Sequence, residues 1–302
     1  MSEPEGHHFT AGPPQGEIAP SGGREPHAVG KRGGHIHWPA EAIWEAVYPL
    51  LPTFSVEVLP EVDSTNSELM RRARAGQLDP VLLVAERQTA GRGRLGRSWN
   101  SGVPTTDARA NTIPTLTFSL GMPLVPLDWS GLSLAVGLSI VESLHPELKL
   151  KWPNDVWLQD RKLAGILIET VSVADQRYAV MGVGINIAVP DAQGLRTAPA
   201  GLRELLPEMD APAVLGRVVP ALVQAIQRFV EHGFAPLRTP FHARDLLYGR
   251  ELQCSDGMVG VARGVDATGA LLLHTGDGLK KITSAEVSVR PLAPPASAAE
   301  LP

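Results

Sequence analysis

The sequence of 302 residues holds one cysteine, Cys254. A single thiol excludes an intramolecular disulfide framework and suits a reducing compartment, so a cytoplasmic protein is expected. Cys254 has no partner motif around it, and a buried, inert thiol is expected there rather than a nucleophile. Positive charge is not in excess. The net charge of −5 gives no electrostatic reason for bulk nucleic-acid binding, so any basic site must be local. No apolar run is long enough to suggest a membrane span, and the first residues lack the basic-then-apolar pattern of a signal peptide. No internal repeat is visible. Residues 1–38 lack almost all large apolar side chains and cannot bury enough surface to offset their ordering, so a disordered tail or an over-long start is expected. Their histidines (His7, His8, His27, His35, His37) are too irregularly spaced for a metal site.

What is present begins at Trp38. Hydrophobic residues at 43% and charged residues at 20% are ordinary for a globular chain, long enough for a full-sized domain and a smaller one. Ala40–Leu51 reads as a helix and Phe54–Leu59 as a strand. Asp63-Ser64-Thr65-Asn66-Ser67-Glu68 opens a second helix through Ala75, stopped by Gly76, with Thr65 and Glu68 at capping-box spacing. Strands follow near 81–88 and 115–120, a helix over Gly131–His145, and strands near 148–158, 163–171 and 178–188. Over 211–232, Val214, Leu215, Val218, Val219, Leu222, Val223, Ile226 and Phe229 recur at helical spacing, with Asp210 and Pro212 at the start and Gly233 at the end. That is a core helix. After Pro240, short apolar runs (252–254, 259–262, 271–274, 281–283, 287–289) alternate with Gly/Asp turns, the signature of a small antiparallel barrel.

One segment carries the most chemistry. Gly91-Arg92-Gly93-Arg94-Leu95-Gly96-Arg97-Ser98-Trp99 follows directly on an apolar strand. Glycine lets backbone N–H groups approach a ligand, and arginine adds fixed charge with fork-shaped donors. Such a loop is built to surround an anion. Arg/Gly runs also occur in disordered RNA-binding segments, but Trp99 and the flanking strands place this copy inside a folded domain.

Four more segments join it: the helix start Ser64-Thr65-Asn66; Lys151-Trp152-Pro153-Asn154-Asp155-Val156; Arg161-Lys162-Leu163-Ala164-Gly165-Ile166-Leu167-Ile168-Glu169; and Gly182-Val183-Gly184-Ile185-Asn186-Ile187. In this order they resemble the biotin protein ligase family, enzymes that attach biotin to carboxylase carrier domains, over residues 54 to 292. The resemblance implies an α+β fold, a mixed-sheet catalytic domain followed by an SH3-like β-barrel, here divided as 39–238 and 245–292. It also implies a two-step reaction: ATP and biotin form biotinyl-5′-AMP, and a lysine of a biotin carboxyl carrier domain then takes the acyl group.

Carried over residue by residue, the resemblance makes Lys151, Arg92 and Arg94 catalytic. Lys151 would bridge the biotin carboxylate and the α-phosphate; the alternative is a lysine stretched along a strand end. Ser64, Thr65, Asn66, Gln88, Gly91, Arg92, Gly93, Lys151, Gly182 and Gly184 would hold biotin, the last two by leaving room beside their strand. Arg94, Arg97, Trp99, Lys162, Asn186 and Arg290 would hold ATP, with a surface position the alternative for Arg97 and a plain core position for Trp99. Asn154 and Asp155 suit either a Mg2+ shell with the phosphates or an ordinary turn. The Gly-rich loop is expected to order on ligand binding and exclude water.

The chain departs from the family in two places. Relatives with a repressor role carry an N-terminal helix-turn-helix, which residues 1–38 and one helix cannot supply, so no DNA partner is expected. Beyond Trp99, residues 100–111 are longer and more polar than the usual Ser-Pro-x-Gly-x-Asn-Leu, with Asn111-Thr112 in place of Asn-Leu. This leaves loop geometry and a possible homodimer open. A lipoate or octanoate transfer enzyme lacks these tandem motifs with this barrel, and a non-enzymatic regulator needs a DNA-reading module.

Overall fold

The computed structural model of the chain describes residues 36–102, 113–195, 197–283 and 289–292. Outside them lie residues 1–35 of the expected tail, residues 103–112 of the polar loop with Asn111-Thr112, and residues 287–288 of the last expected barrel strand.

Seven strands make one mixed sheet: β1 (Ser55–Val62), β2 (Val81–Gln88), β3 (Thr115–Pro123), β4 (Lys149–Lys151), β5 (Asp155–Leu158), β6 (Arg161–Val173) and β7 (Gln176–Asn186). Their order is β1-β2-β3-β7-β6-β5-β4. Only β1 and β2 run parallel. A parallel pair needs a crossover, and helix α2 (Thr65–Arg74) supplies it. The single expected strand near 148–158 is a hairpin of β4 and β5, turned by Trp152-Pro153-Asn154 with a cis Trp152–Pro153 bond.

Helices α1 (Ala40–Val47), α3 (Leu132–Leu144) and α4 (Ala211–His232) contribute to the main core on one face of this sheet. Helix α1 ends four residues before the expected Leu51; turns then lead to Thr53 at φ +69° and into β1. In α4 the eight apolar residues named from periodicity are all buried, each adding about 1.5–3 kcal/mol of transfer free energy. Asp210 caps its start by accepting from Ala213 N at 2.8 Å, and Gly233 at φ +65° ends it. Among the described residues α4 is the one helix whose length and mean hydropathy would allow a membrane crossing. Its apolar stripe is instead packed into the core, while Arg217, Gln224 and Arg228 lie on its other faces.

Helix α5 (Arg238–Arg244) escaped the sequence reading, which assigned no element between Gly233 and the short apolar runs after Pro240. Pro240 is in the first turn, where a backbone N–H has no helical partner to lose. Beyond it five strands, β8 (Glu251–Cys254), β9 (Val259–Val265), β10 (Leu271–Thr275), β11 (Gly278–Ile282) and β12 (Val289–Pro291), form an antiparallel SH3-like sheet in the order β11-β10-β9-β8-β12. It is joined to the β4–β5 turn of the larger sheet by a buried hydrogen bond from Trp152 and to α5 by a half-buried one from Arg238. Trp152 Nε1 donates to Gly269 O at 3.0 Å, and Arg238 Nε donates to Val265 O at 3.0 Å.

Candidate active site

Alternation along three strands builds the floor of a cavity of about 410 Å³. On β3, β7 and β6 the residues facing away from the main core are Thr117 and Ser119, Gly182 and Gly184, Gly165 and Leu167; the ladder pairs Thr117 with Gly184, Ser119 with Gly182, and Gly184 with Gly165. Large side chains are nearly absent from this patch. The glycines do leave room, but the chain's own groups fill it. A Cβ on Gly182 would lie 2.1 Å from Asn66 Oδ1, and one on Gly184 would lie 2.3 Å from Trp99 Cε2. The open space for biotin expected beside these two glycines is therefore occupied here by Asn66 and Trp99.

The start of α2 forms one wall. Ser64, not Thr65, is the N-cap: its hydroxyl accepts from Ser67 N at 3.4 Å. Glu68 makes no capping box; it pairs with Arg71 and Arg72, whose hydrogen bonds hold its carboxyl below the usual range. Thr65 is thereby released to face Gln88, whose Oε1 accepts from Thr65 N at 2.8 Å and from Thr65 Oγ1 at 3.1 Å. Asn66 is pinned at both ends. Ser119 Oγ donates to its Oδ1 at 2.6 Å, and its Nδ2 donates to Leu167 O at 3.2 Å and to Glu169 Oε2 at 3.0 Å. Ser64, Thr65 and Asn66 are all buried.

The Arg/Gly loop folds back on itself over the cavity. Trp99 N donates to Gly91 O at 2.8 Å and Gly93 N to Arg97 O at 2.7 Å. Gly91 is required by this closure, since a Cβ there would lie 2.4 Å from Trp99 O. At the tip Leu95 has φ +56° and Gly96 φ +69°. Arg92 points to Glu169 and Ser67, while Arg94 Nη1 donates to Asn154 Oδ1 at 3.2 Å. The Trp99 indole lies over Gly184 and Gly165, and its N–H is buried without an acceptor among the described residues.

Six cations line the cavity: Arg92, Arg94, Arg97, Lys151, Lys162 and Arg290. Asp155 is its one lining carboxylate among the described residues, paired to Lys162 Nζ at 2.8 Å. Lys151 Nζ donates to Val289 O of β12 at 3.0 Å and lies 5.3 Å from the Trp157 ring centroid. Burial is the main cause that pulls Lys151 below the ordinary lysine range; Asp155 opposes it, and Lys162, Arg97 and Arg290 reinforce it. Burial also lowers the Arg94 value, although a guanidinium stays charged. Lys151, Arg94 and Lys162 are half-buried while Arg92, Arg97 and Arg290 are exposed at the rim, so the charge least screened by water, and most attractive to a polyanion, is that of the inner three.

Of the residues expected at the site, two do not line this cavity. Gly91 works from behind, through loop closure. Asn186 is buried, and its Nδ2 donates to Ala200 O at 3.1 Å and Lys162 O at 3.4 Å, which ties β7 to the segment after it. Among the described residues no three His, Cys, Asp or Glu side chains group as a metal cage. Asn154 fits a metal poorly, because Arg94 occupies its Oδ1 and its Nδ2 donates to Ile166 O at 2.7 Å. The sequence reading missed Thr117, Ser119 and Glu169. Strand alternation was the available signal, since Glu169 follows Gly165 and Leu167 at period two.

Comparison with known proteins agrees with this geometry. The biotin/lipoate A/B protein ligase family matches residues 58–186, and the biotin protein ligase C-terminal domain matches residues 255–290. The chain is similar to the bifunctional ligase/repressor BirA of Escherichia coli, 34% identical over 247 residues that cover 78% of this chain and 74% of that one. It is similar to the biotin–[acetyl-CoA-carboxylase] ligase of Mycobacterium tuberculosis, 34% identical over 245 residues that cover 77% and 88% respectively. Among solved structures it resembles a biotin protein ligase from Aquifex aeolicus in complex with biotin and ATP, with TM-score 0.66, 30% identity, and coverage of 78% of this chain and 99% of that chain.

Proposed function

The chain belongs to the biotin protein ligase family, and from that premise we propose that it makes biotinyl-5′-AMP from biotin and ATP and transfers biotin to a lysine of a biotin carboxyl carrier domain. In the first step a biotin carboxylate oxygen attacks the α-phosphorus and pyrophosphate leaves. In the second the acceptor amine attacks the acyl carbon, AMP leaves, and the amine's proton passes to solvent. Negative charge concentrates on phosphate and carboxylate oxygens in both steps. Fixed cations, three of them half-buried (Arg94, Lys151 and Lys162), stabilise such charge without reorganising at the moment of reaction.

The observation that carries this reading is the six-to-one excess of cations over carboxylates around a glycine-floored cavity. Lys151 is the central group. An ammonium has three donors, and one is held by Val289 O, so two remain for ligand oxygens. Arg94, Arg97, Lys162 and Arg290 take the phosphates, and Arg92 closes the loop side. Trp99 packs on the adenine, and its unpaired N–H is available to a ligand acceptor. Ser64, Thr65 and Gln88 face the ureido ring. Gly91, by closing the loop, and Asn66, by holding the floor, act through others. Mg2+ would arrive with the triphosphate, and among the described residues Asp155 is the one lining carboxylate able to meet it; octahedral Mg2+ commonly needs only one or two protein carboxylates.

We assign the catalytic part to 39–238 and the SH3-like part to 245–292, with β12 completing the cavity by Val289 and Arg290. A transcriptional repressor role is not assigned. The lone buried Cys254 suits the cytoplasm.

The test is direct. With ATP, Mg2+, biotin and a purified carrier domain, the protein adds the biotinyl mass to one lysine. Lys151→Ala lowers that rate by at least about 10²-fold with the fold intact, judged by circular dichroism. Labelling at the wild-type rate by Lys151→Ala would remove the lysine from its role.

A further inference from the structure

Trp157 lines the cavity, but no step of the proposed reaction uses it. It is 7% exposed, and its indole N–H is buried without an acceptor among the described residues. Packing alone does not favour an indole in such a place, since a phenyl ring fills space without burying a donor. Its position in the β4–β5 hairpin points to another use. The ladder pairs Lys149 with Trp157 and Lys151 with Asp155, so Trp157 is the diagonal neighbour of Lys151, within reach of a long side chain. Lys151 Nζ lies 5.3 Å from the ring centroid, inside the range over which an indole face attracts a cation.

Lys151 needs such a partner. It is half-buried, and among the described residues it has no carboxylate at salt-bridge distance, because Asp155 across the hairpin is paired to Lys162. Lys162 from β6, Arg97 from the Arg/Gly loop and Arg290 from β12 all repel it. A carboxylate in contact would hold the ammonium, but it would also cancel the charge and repel an incoming anion. A ring face carries no net charge, so it attracts the cation through its quadrupole and leaves the charge whole. We propose that Trp157 is a positioning residue that, together with the Val289 carbonyl, holds the Lys151 ammonium without a counter-ion. Both residues belong to one hydrogen-bonded hairpin, so the hold is a property of the sheet and not of the Arg/Gly loop. Its benefit to an anionic ligand rests on the function proposed above; the contact itself does not.

A double-mutant cycle tests the proposal. Isothermal titration reads ATP affinity for wild type, Trp157→Phe and Trp157→Leu, each with Lys151 and with Lys151→Ala. Where Lys151 is present, Trp157→Leu weakens ATP binding about three- to tenfold, and Trp157→Phe, which keeps a ring face, loses less. In Lys151→Ala the same substitutions change affinity by less than about twofold. An equal loss in both backgrounds is plain packing and overturns the proposal. Proton–carbon NMR of protein carrying carbon-13 lysine reads the contact apart from any reaction. The ring current displaces the Lys151 ε-methylene signal in wild type, less so in Trp157→Phe, and Trp157→Leu returns it to the position of an exposed lysine. A signal that Trp157→Leu leaves in place overturns the hold. A signal that moves, in a chain whose ATP affinity answers to neither Trp157 nor Lys151, leaves the contact standing and overturns the function proposed for the lysine. Should Trp157→Leu not fold, Trp157→Met, also without a ring, is read in the same two assays.

Discussion

The strands β3, β7 and β6 present two unlike faces on one backbone. Toward α3 and α4 they show Leu116, Phe118 and Leu120, Met181, Val183 and Ile185, Ala164 and Ile166, all buried. On the opposite face the residues between them are Thr117, Gly182, Gly184, Gly165 and Leu167, which line the cavity, and Ser119, which lies under Asn66. The strand register that buries one set necessarily displays the other. One face supplies stability through packed apolar volume. The other gives up that volume for approach distance and hydrogen-bonding groups, and its neighbouring loop carries charge that packing alone would not favour. The site is as precise as it is because its floor is the reverse side of the core.

If the faces divide in this way, substitutions on them must fail differently. Phe118→Ala empties a fully buried site on the core face. It lowers stability by about 3–5 kcal/mol, on the order of 10 °C in melting temperature, and the protein that remains folded binds ATP normally. Calorimetry with nucleotide titration reads both. A loss of affinity without a loss of stability would break the division. Gly184→Ala, on the other face, sets a methyl where the Trp99 ring stands, 2.3 Å from Cε2. The indole is displaced from its shelf. ATP affinity falls about tenfold, equivalent to about 1.4 kcal/mol, while stability changes by less than that. Isothermal titration separates the two, and unchanged affinity would show that Trp99 has no part in holding the nucleotide.

The two faces were also unequally legible in the sequence. The core face was readable because its signals are local: the 3.6-residue period of α4 and the apolar runs of β2, β3 and β7 need no knowledge of distant residues. The charged motifs were readable because glycine and arginine alternating after a strand have few other uses. What stayed hidden depends on long-range contacts. Gly182 is glycine because Asn66, 116 residues earlier, occupies its Cβ position. Ser119 alternates with Phe118 and Leu120 along β3, but its partner Asn66 lies 53 residues earlier, and Glu169 ends a motif read as a strand. Thr65 and Glu68 had the spacing of a capping box, but Arg71 and Arg72 compete for the carboxylate and win with charge-assisted bonds of 2.6 and 2.8 Å. Asn186 sits in a motif tied to nucleotide, yet its amide is taken by backbone carbonyls.

The smallest effect is the most discriminating, because it changes sign between stability and binding. Among the described residues the main core around Phe118 is built from apolar side chains, so its contribution to stability is flat with pH. Lys151 differs: its folded value is below the ordinary lysine value of 10.5, chiefly through burial. The unfolded chain therefore binds more protons than the folded one between those two values, and stability rises with pH across that window. Binding of an anion runs the other way, since the proton lost from Lys151 is the charge the anion meets. Lys151→Met removes the titration and keeps the length. The melting temperature of wild type minus that of Lys151→Met increases as pH is raised toward 10.5, while wild-type affinity for ATP declines over the same range. The difference between wild type and Phe118→Ala stays level throughout. A flat difference for Lys151→Met would mean that the lysine is as well solvated folded as unfolded, and the cavity could not then be the low-dielectric cationic site on which the two-step chemistry depends.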